Sequence, residues 1–374
     1  MTGLAAPLTV RCVQDFDGLQ KLKDEWNHLA AVSSPGNLFA TWQWQATWAR
    51  HYLAPGQLHV VLVCDGQSVV GLAPFYIRRS PHRAILRGRE IRFLGTEEVC
   101  SSYLDVLAAS GRRSEVLTRL YRYLFEEAAG CWDILTLAEL PSESPSIDLW
   151  QRLFDQDGKV LELLGFTACP VVDLRPGWDD VRQRIGRTAR YNLARKTKYA
   201  QALGDLVVER YTDPDIISRH WEEYVALHRE RWEARGEGGA FASHRFAAFH
   251  QEMGRTLAAR GWAELDFLSL NGERIAAIYG FDYEGTYSFY LPAMNPRVAS
   301  KASPGALLLA HSIEAAARDG RHTYDLLQGL AEYKMVWAGR VRRSLTLQGY
   351  NRSVRAVLWK ALDGITQAVK VLVR

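Results

Sequence analysis

The stretch WAELDFLSLNGERIAAIYGFDYEGTYSFYLP, residues 262–292, decides the fold. Ala263–Leu270 alternates as a strand does, Asn271-Gly272 is the two-residue signal of a tight hairpin, and Arg274–Tyr283 returns as a second strand. A third strand, Thr286–Pro292, is rich in rings (Tyr287, Phe289, Tyr290) and runs into a loop over Asn295–Ser303 that carries Arg297 and Lys301. Ser303-Pro304-Gly305 then opens a helix over Ala306–Arg318, with proline where its missing N–H costs nothing and Gly320 as the stop. His322–Leu327 is one more strand, and Gly329 leads into Glu332–Trp337. Strands feeding a Ser/Gly loop with basic residues at a helix start make an anion site, because the first amide N–H groups are unpaired and the helix dipole favours negative charge. The same three residues also serve as a plain helix start, and both readings stay open on the residues alone.

Outward from this stretch, the first half of the chain repeats its order. Leu58–Cys64, the turn Asp65-Gly66 and Ser68–Arg78 match the hairpin. Arg89–Gly95 and Tyr103–Leu107 supply further strands, Arg113–Ala129 a helix, and Trp132–Ala138 a closing strand. Two similar units in tandem account for this. Only the second keeps a Ser/Gly loop at its helix start, so only the second keeps the anion-site reading. The Ser/Pro/Glu run Pro141–Pro145 is the linker candidate, which sets boundaries at residues 1–145, 146–350 and 351–374.

Phe39, Trp42, Trp44 and Trp48 crowd one predicted helix and read as core or, alternatively, as a sugar platform. Asp179 or Asp180 is expected to cap a long basic helix with Arg182, Arg184, Arg187, Arg190, Arg195, Lys196 and Lys198, ended by Gly204. It reads as a solvated face or as a phosphate-binding one, with Arg187, Arg190, Tyr191 and Arg195 as the residues that would hold an acceptor. Residues 354–373 are amphipathic with a basic flank, which suits packing on the protein or a membrane surface.

At 374 residues the chain suits two domains, and 48% hydrophobic with 24% charged residues is a globular composition. A net charge of +4 is too mild to imply nucleic acid. Five scattered cysteines without a Cys-x-x-Cys pair point to a reducing compartment, with neither a disulfide framework nor a zinc site. The first ten residues lack a secretory pattern and no apolar run is long enough to span a bilayer, so a cytoplasmic location is expected. Serine-hydrolase elbow, zincin, Walker and dinucleotide glycine motifs are absent, and no metal is expected.

Longer phrases carry a resemblance. Leu227–Trp232 with Gly236 and Phe241, Tyr290-Leu291-Pro292, Ser303-Pro304-Gly305, Tyr324-Asp325-Leu326-Leu327-Gln328-Gly329 and Glu332-Tyr333-Lys334-Met335-Val336-Trp337 follow one another in an order that resembles the GNAT superfamily. Within it they look like the CelD-like acetyltransferases of cellulose and exopolysaccharide biosynthesis, a branch similar in turn to the FemAB-type aminoacyltransferases. The match spans Arg175–Gly339, and Phe39–Trp44 extends it to the first half. Residues 300–305 form a degenerate version of the family's phosphate loop, and Leu330-Ala331 stands where an acidic residue is usual.

The resemblance implies an α+β fold of tandem GNAT-like domains, each a mostly antiparallel mixed sheet flanked by helices, followed by a C-terminal amphipathic helix. It implies acyl transfer from acetyl-CoA or another acyl-CoA to an amine or hydroxyl of a sugar-like or cell-envelope precursor. Tyr290, Leu291, Lys301, Ser303, Gly305 and Ala306 would face the donor. Asp325, His228 and Glu230 are the candidates for proton work, since carboxylates or imidazole near a cleft can be tuned toward neutral pH. The resemblance to Fem-like relatives implies that Lys334 lies near the donor channel, where its ammonium would neutralise a phosphate or a developing oxyanion, and otherwise it reads as a solvated lysine on a terminal helix. An aminoacyl-tRNA-dependent Fem-like transferase, with tRNA as partner, is the alternative enzyme. A degenerate pair acting as a scaffold subunit is the non-enzymatic alternative. Under the first reading the protein works in the cytoplasm, with residues 354–373 as a contact to the inner face of the membrane.

Overall fold

The computed structural model describes residues 7–82, 86–234, 236–298 and 302–362. Contacts divide the chain into two compact units: Met1–Pro35, Phe39–Thr167 and Arg343–Arg374 form the first, Gly36–Leu38 and Ala168–Arg342 the second. The divisions thus fall at 167/168 and 342/343 and not at the linker expected at 141–145, because residues 343–350 pair with the first unit's own sheet.

The first unit contains β1 (Thr9–Val13), α1 (Phe16–Lys21), α2 (Lys23–Ser33), α3 (Trp42–Tyr52), β2 (Leu58–Asp65), β3 (Ser68–His82), β4 (Leu86–Phe93), β5 (Leu107–Ala108), α4 (Arg113–Arg122), β6 (Ile134–Pro141) and α5 (Ser146–Gln156). β7 (Leu161–Asp173) leads into the second unit, which holds α6 (Trp178–Arg184), α7 (Arg187–Leu203), β8 (Leu206–Tyr211), α8 (Pro214–Glu233), α9 (His244–Ala258), β9 (Ala263–Leu270), β10 (Glu273–Tyr283), β11 (Thr286–Met294), α10 (Pro304–Arg318), β12 (Thr323–Asp325) and α11 (Glu332–Met335). β13 (Arg340–Tyr350) returns to the first.

The expected repeat is present. β1, β2, β3 and β4 run antiparallel and β6 lies parallel beside β4. In the second unit β8, β9, β10 and β11 run antiparallel and β12 lies parallel beside β11. The crossover helices are α4 and α10, as a parallel neighbour requires. Each unit's strands are extended by a strand from the segment that follows the other unit: β13 pairs with β6, and residues 171–173 of β7 pair with β12. The fold is therefore α+β, a large and mostly antiparallel mixed sheet flanked by helices.

Local chemistry explains the elements. Asn271 adopts a left-handed backbone before Gly272, as the tight β9–β10 turn demands. Asp213 caps α8 by accepting from the amides of Asp215 and Ile216, and Pro214 occupies the first helical position. The tryptophans of α3 are core: Trp42, Trp44 and Trp48 are buried. Their indole N–H groups donate to Leu19 O at 2.8 Å, Ser101 Oγ at 2.7 Å and Thr96 O at 3.0 Å, so none is buried without a partner. At about 25 cal/mol per Å² of apolar surface, each such ring contributes a few kcal/mol by its burial.

Three expectations change. The long basic helix is broken at Gly186 into α6 and α7, and Asp179 and Asp180 sit in the first turn of α6, not at a cap. Ile185 and Gly186 are extended there, and Arg190 of α7 donates back to Gln183 O at 2.7 Å and Ile185 O at 2.9 Å, satisfying carbonyls that α6 leaves open. α4 stops at Arg122 and a π-helical turn covers Tyr123–Glu127. The strand expected over 103–107 shrinks to Leu107–Ala108, because Asp105 turns inward to accept from Ser144, Ser146 and Arg113. Of the predicted C-terminal helix, residues 354–362 are helical, and 363–373 lie outside the described residues.

Arg113 also donates to Ser33 Oγ at 2.7 Å, so one guanidinium ties α2, the 105 turn and the start of α5 around a carboxyl that burial pushes above its ordinary range. Replacing it by methionine strands Asp105 without its cation. Arg113→Met is expected to cost about 3 kcal/mol, read as a lowered urea midpoint of the first unit's transition.

Candidate active site

The second unit's sheet opens where β11 and β12 part. Their parallel pairing covers only Thr286–Ser288 against Thr323–Asp325, whereas β11 continues beside β10 as far as Met294. Between Ser288 and Leu291 the β10–β11 register shifts by one residue, which places a bulge at Phe289-Tyr290. Beyond it, α8 reaches the strand: Tyr224 Oη donates to Leu291 O and Arg231 Nη1 to Pro292 O, each at 2.9 Å. The bulged strand is thus held apart from its neighbour by side chains that satisfy its backbone. Tyr290 bonds through its hydroxyl to His250 Nε2 at 3.1 Å.

Next to the parted strands lies a cavity of about 300 Å³. The start of α10 lines it with Ser303, Gly305 and Ala306, and Lys196 and Arg231 supply positive charge with no acidic residue among the lining ones. Ser303 holds a left-handed backbone as the cap residue. A Cβ on Gly305 would stand 3.4 Å from Met294 Sδ, so glycine preserves this space. The amides of Ala306 and Leu307 turn back onto Ser303 O, at 2.9 and 3.2 Å. A second cavity of about 470 Å³ shares Lys196, Ala306 and Tyr333 and extends along Thr188 and Asn192 of α7.

These cavities sort the candidate residues. Ser303, Gly305 and Ala306 line the smaller one; Tyr290 and Leu291 lie on the bulged strand, and Lys301 lies outside the described residues. On α7 the groove face is Thr188, Asn192 and Lys196, four residues apart, whereas Arg187, Tyr191 and Arg195 point to solvent and Arg190 caps α6. The spacing that marks this face was present in the sequence, although the choice of arginines obscured it.

Lys334 is buried, donates from Nζ to Gln328 O at 2.7 Å, and stands 6.0 Å from the centre of the ring of Phe289, which lines the smaller cavity. Burial lowers its pKa to about 8, partly opposed by Cys169 and Asp325. Asp325 is itself buried and accepts from the amide of Leu327, a non-glycine residue with φ of +53°. His228 is buried against Phe241 and accepts at Nε2 from Trp232 at 3.1 Å. Burial, reinforced by Arg231 and Arg229, lowers its pKa to about 4 and keeps the imidazole neutral with one lone pair engaged. Glu230 is exposed on α8.

Residues 187–335, which contain this groove, match the family described as "Acetyltransferase (GNAT) domain". That stretch has the fold of a GNAT acetyltransferase domain. No curated protein matches the chain. Among solved structures it is similar to FemX at 12% identity, with 86% of this chain and 95% of that one covered at a TM-score of 0.61. It is similar to the C-terminal domain of a putative lysylphosphatidylglycerol synthetase from Agrobacterium fabrum at 11% identity, covering 91% and 94% at 0.53. The synthetase L-PGS from Bacillus licheniformis is similar at 14%, covering 94% and 96% at 0.52. Identities this low establish a shared fold.

The buried lysine gives a signed expectation. The unfolded chain keeps the Lys334 proton to about 10.5 and the folded chain only to about 8, so between these values the unfolded state binds more protons and stability rises with pH. That rise is about 3 kcal/mol at full extent. Urea melts from pH 7 to 10.5 should show it in the wild type, and Lys334→Met should remove it.

Proposed function

We propose that the second unit transfers an acyl group, most simply acetyl from acetyl-CoA, to an amine or hydroxyl of a sugar-like or cell-envelope precursor of the exopolysaccharide kind. The observation that carries this reading is the acid-free cavity at the start of α10, where Lys196 and Arg231 stand beside the bulged end of β11. Two cations and a helix N-terminus fit the diphosphate of a CoA, and the space kept by Gly305 lets that group approach the backbone. The donor supplies the acyl thioester. Lys196 and Arg231 hold its phosphates, and the strand around Tyr290–Pro292 orients the thioester carbonyl toward the parted strands. The acceptor's nitrogen or oxygen then forms the new bond to the carbonyl carbon, the C–S bond breaks, and the proton lost by the acceptor ends on the thiolate. Lys334, over the ring of Phe289, adds positive potential where the oxyanion develops, while Asp325 fixes the Leu327 turn that carries Lys334's carbonyl partners. His228 and Glu230 have no part in the proton's path in this reading: the first has its lone pair engaged, and the second faces solvent.

One observation favours a second reading. The amide of Ala306 already donates to Ser303 O at 2.9 Å, which leaves one donor fewer at the helix start for a pyrophosphate and gives weight to an aminoacyl-tRNA as the donor instead. Either donor belongs to the cytoplasm. Among the described residues no helix is long and apolar enough to cross a membrane, and contact with the inner face would fall to the helix at 354–362, where Val354, Val357 and Leu358 are exposed beside Arg352 and Arg355.

Calorimetric titration with CoA and acetyl-CoA tests the proposal. Micromolar binding is expected, weakened at least tenfold by Lys196→Glu and abolished by Gly305→Asp, which places a carboxylate in the cavity. Lys334→Ala should leave donor binding within about threefold and lower the rate of transfer by 100-fold or more, about 2.7 kcal/mol of barrier. Absence of binding by either compound would sink the CoA reading in favour of the aminoacyl ester.

A further inference from the structure

α7 carries more net positive charge than the chain as a whole. Its sequence RTARYNLARKTKYAQAL holds five cations, Arg187, Arg190, Arg195, Lys196 and Lys198, and no acid, in a protein of net charge +4. Arg190 is engaged by the carbonyls of α6, and Lys196 lines the two cavities already described. Arg187, Tyr191, Arg195 and Lys198 follow one another at four, four and three residues, so they form one stripe, and all are exposed, Tyr191 by 67%. Among the described residues none of these three cations has an ion pair or a hydrogen bond from its side chain. Exposed helices ordinarily intersperse the two signs, whereas Arg195 and Lys198, three apart, repel each other with no acid on the helix to offset them.

The stripe runs into a third cavity, of about 490 Å³, lined by α6, α7 and the C-terminal end of α10. Lys198 of the stripe lines it, and so does Arg182 of α6, whose guanidinium likewise has no partner among the described residues. Trp178 and Trp337, stacked at 6.1 Å and 25°, supply its aromatic surface. Ile185, Leu193 and Trp337 line both this cavity and the one of about 470 Å³, so it adjoins the donor groove without including Lys196 or the start of α10.

The lining sets the chemistry of what fits. Two unpartnered cations on different helices call for an anion, and those further along the stripe call for more than one. A tryptophan surface takes the apolar face of a sugar ring as it takes other apolar area. Glu314 of the lining is held by Arg318, which leaves Asp179 as the lining carboxylate without a partner among the described residues. Asp179 and Gln201 accept hydrogen bonds from hydroxyl groups. A carboxylate beside the cations repels a phosphodiester chain, which is charged at every unit, and suits a chain whose anions are set among hydroxyls.

We propose that this third cavity binds an acidic oligosaccharide, with a uronate carboxylate held by Arg182 and Lys198, a sugar ring against Trp178, and the sugars that follow lying along Tyr191 and Arg187. The choice of a sugar rests on the transferase reading, in which the acceptor is sugar-like. Binding itself needs no donor.

Trigalacturonate is the probe, titrated calorimetrically into the full chain with no acyl donor present, and cellotriose is its neutral control. Trigalacturonate should bind at least tenfold tighter than cellotriose. Arg182→Glu and Lys198→Glu should each raise its Kd at least tenfold at an unchanged melting temperature, since both side chains are exposed and bond to nothing within the described chain. Arg152→Glu, the same change of charge at an exposed position of α5, should leave the Kd within about twofold and so separates the cavity from net charge. No binding of trigalacturonate, equal affinity for cellotriose, or an unchanged Kd in both cavity variants would overturn the proposal. An oligouridylate of equal charge that binds tighter, and is lost in the same variants, would overturn it in favour of a nucleic-acid surface. CoA is absent and Lys196 and Arg231 are untouched, so failure here and failure of the donor titration are read separately.

Discussion

A strand that leaves its neighbour exposes amides and carbonyls, and the second unit depends on how that exposure is met at β11. Tyr224 and Arg231 of α8 take the carbonyls of Leu291 and Pro292, and the bulge turns the following residues toward the start of α10. Without these two side chains the strand would have reason to remain paired. With them, a wedge is kept open in the middle of a sheet. The same guanidinium that holds the strand also lines the cavity beside it, so the device that opens the groove supplies part of its charge.

Much of this was legible in the sequence, because turn and cap chemistry is local. Asn271-Gly272, Asp65-Gly66, Asp213-Pro214 and Ser303-Pro304-Gly305 mark their turns and helix starts without knowledge of anything distant. The order of strands around α10 followed from them, and the repeat followed from the order. What was not legible depended on partners far along the chain. The bulge at Glu139 is carried by a residue that normally avoids a left-handed backbone, and β13, which pairs with β6 across it, lies some 200 residues further on. Gly186 breaks the basic helix because Arg190 can reach back to cap α6, a contact that no spacing rule announces.

The candidate site was legible in kind and less so in detail. A helix start with small residues and nearby cations is a recognisable anion site. Which cations serve it is a matter of helix phase: Lys196 shares a face with Thr188 and Asn192, and Arg195, one residue away, does not. Burial was harder still. Lys334 reads as an ordinary charged residue near a short helix, and only packing against Phe289 and the carbonyls of Leu327 and Gln328 makes it a lysine that loses its proton near pH 8.

The exchange of closing strands has a consequence for how the chain comes into being. As a ribosome delivers it from the N-terminus, the first unit emerges with β6 still lacking its outer neighbour, while β7, the next strand made, belongs partly to a sheet that has not yet been synthesised. β6 waits until β13 is released, after the whole second unit has appeared. An unpaired strand edge invites pairing with other chains, so the interval is one of exposure to misassembly. The protein cannot mature one half at a time: its first half is finished last.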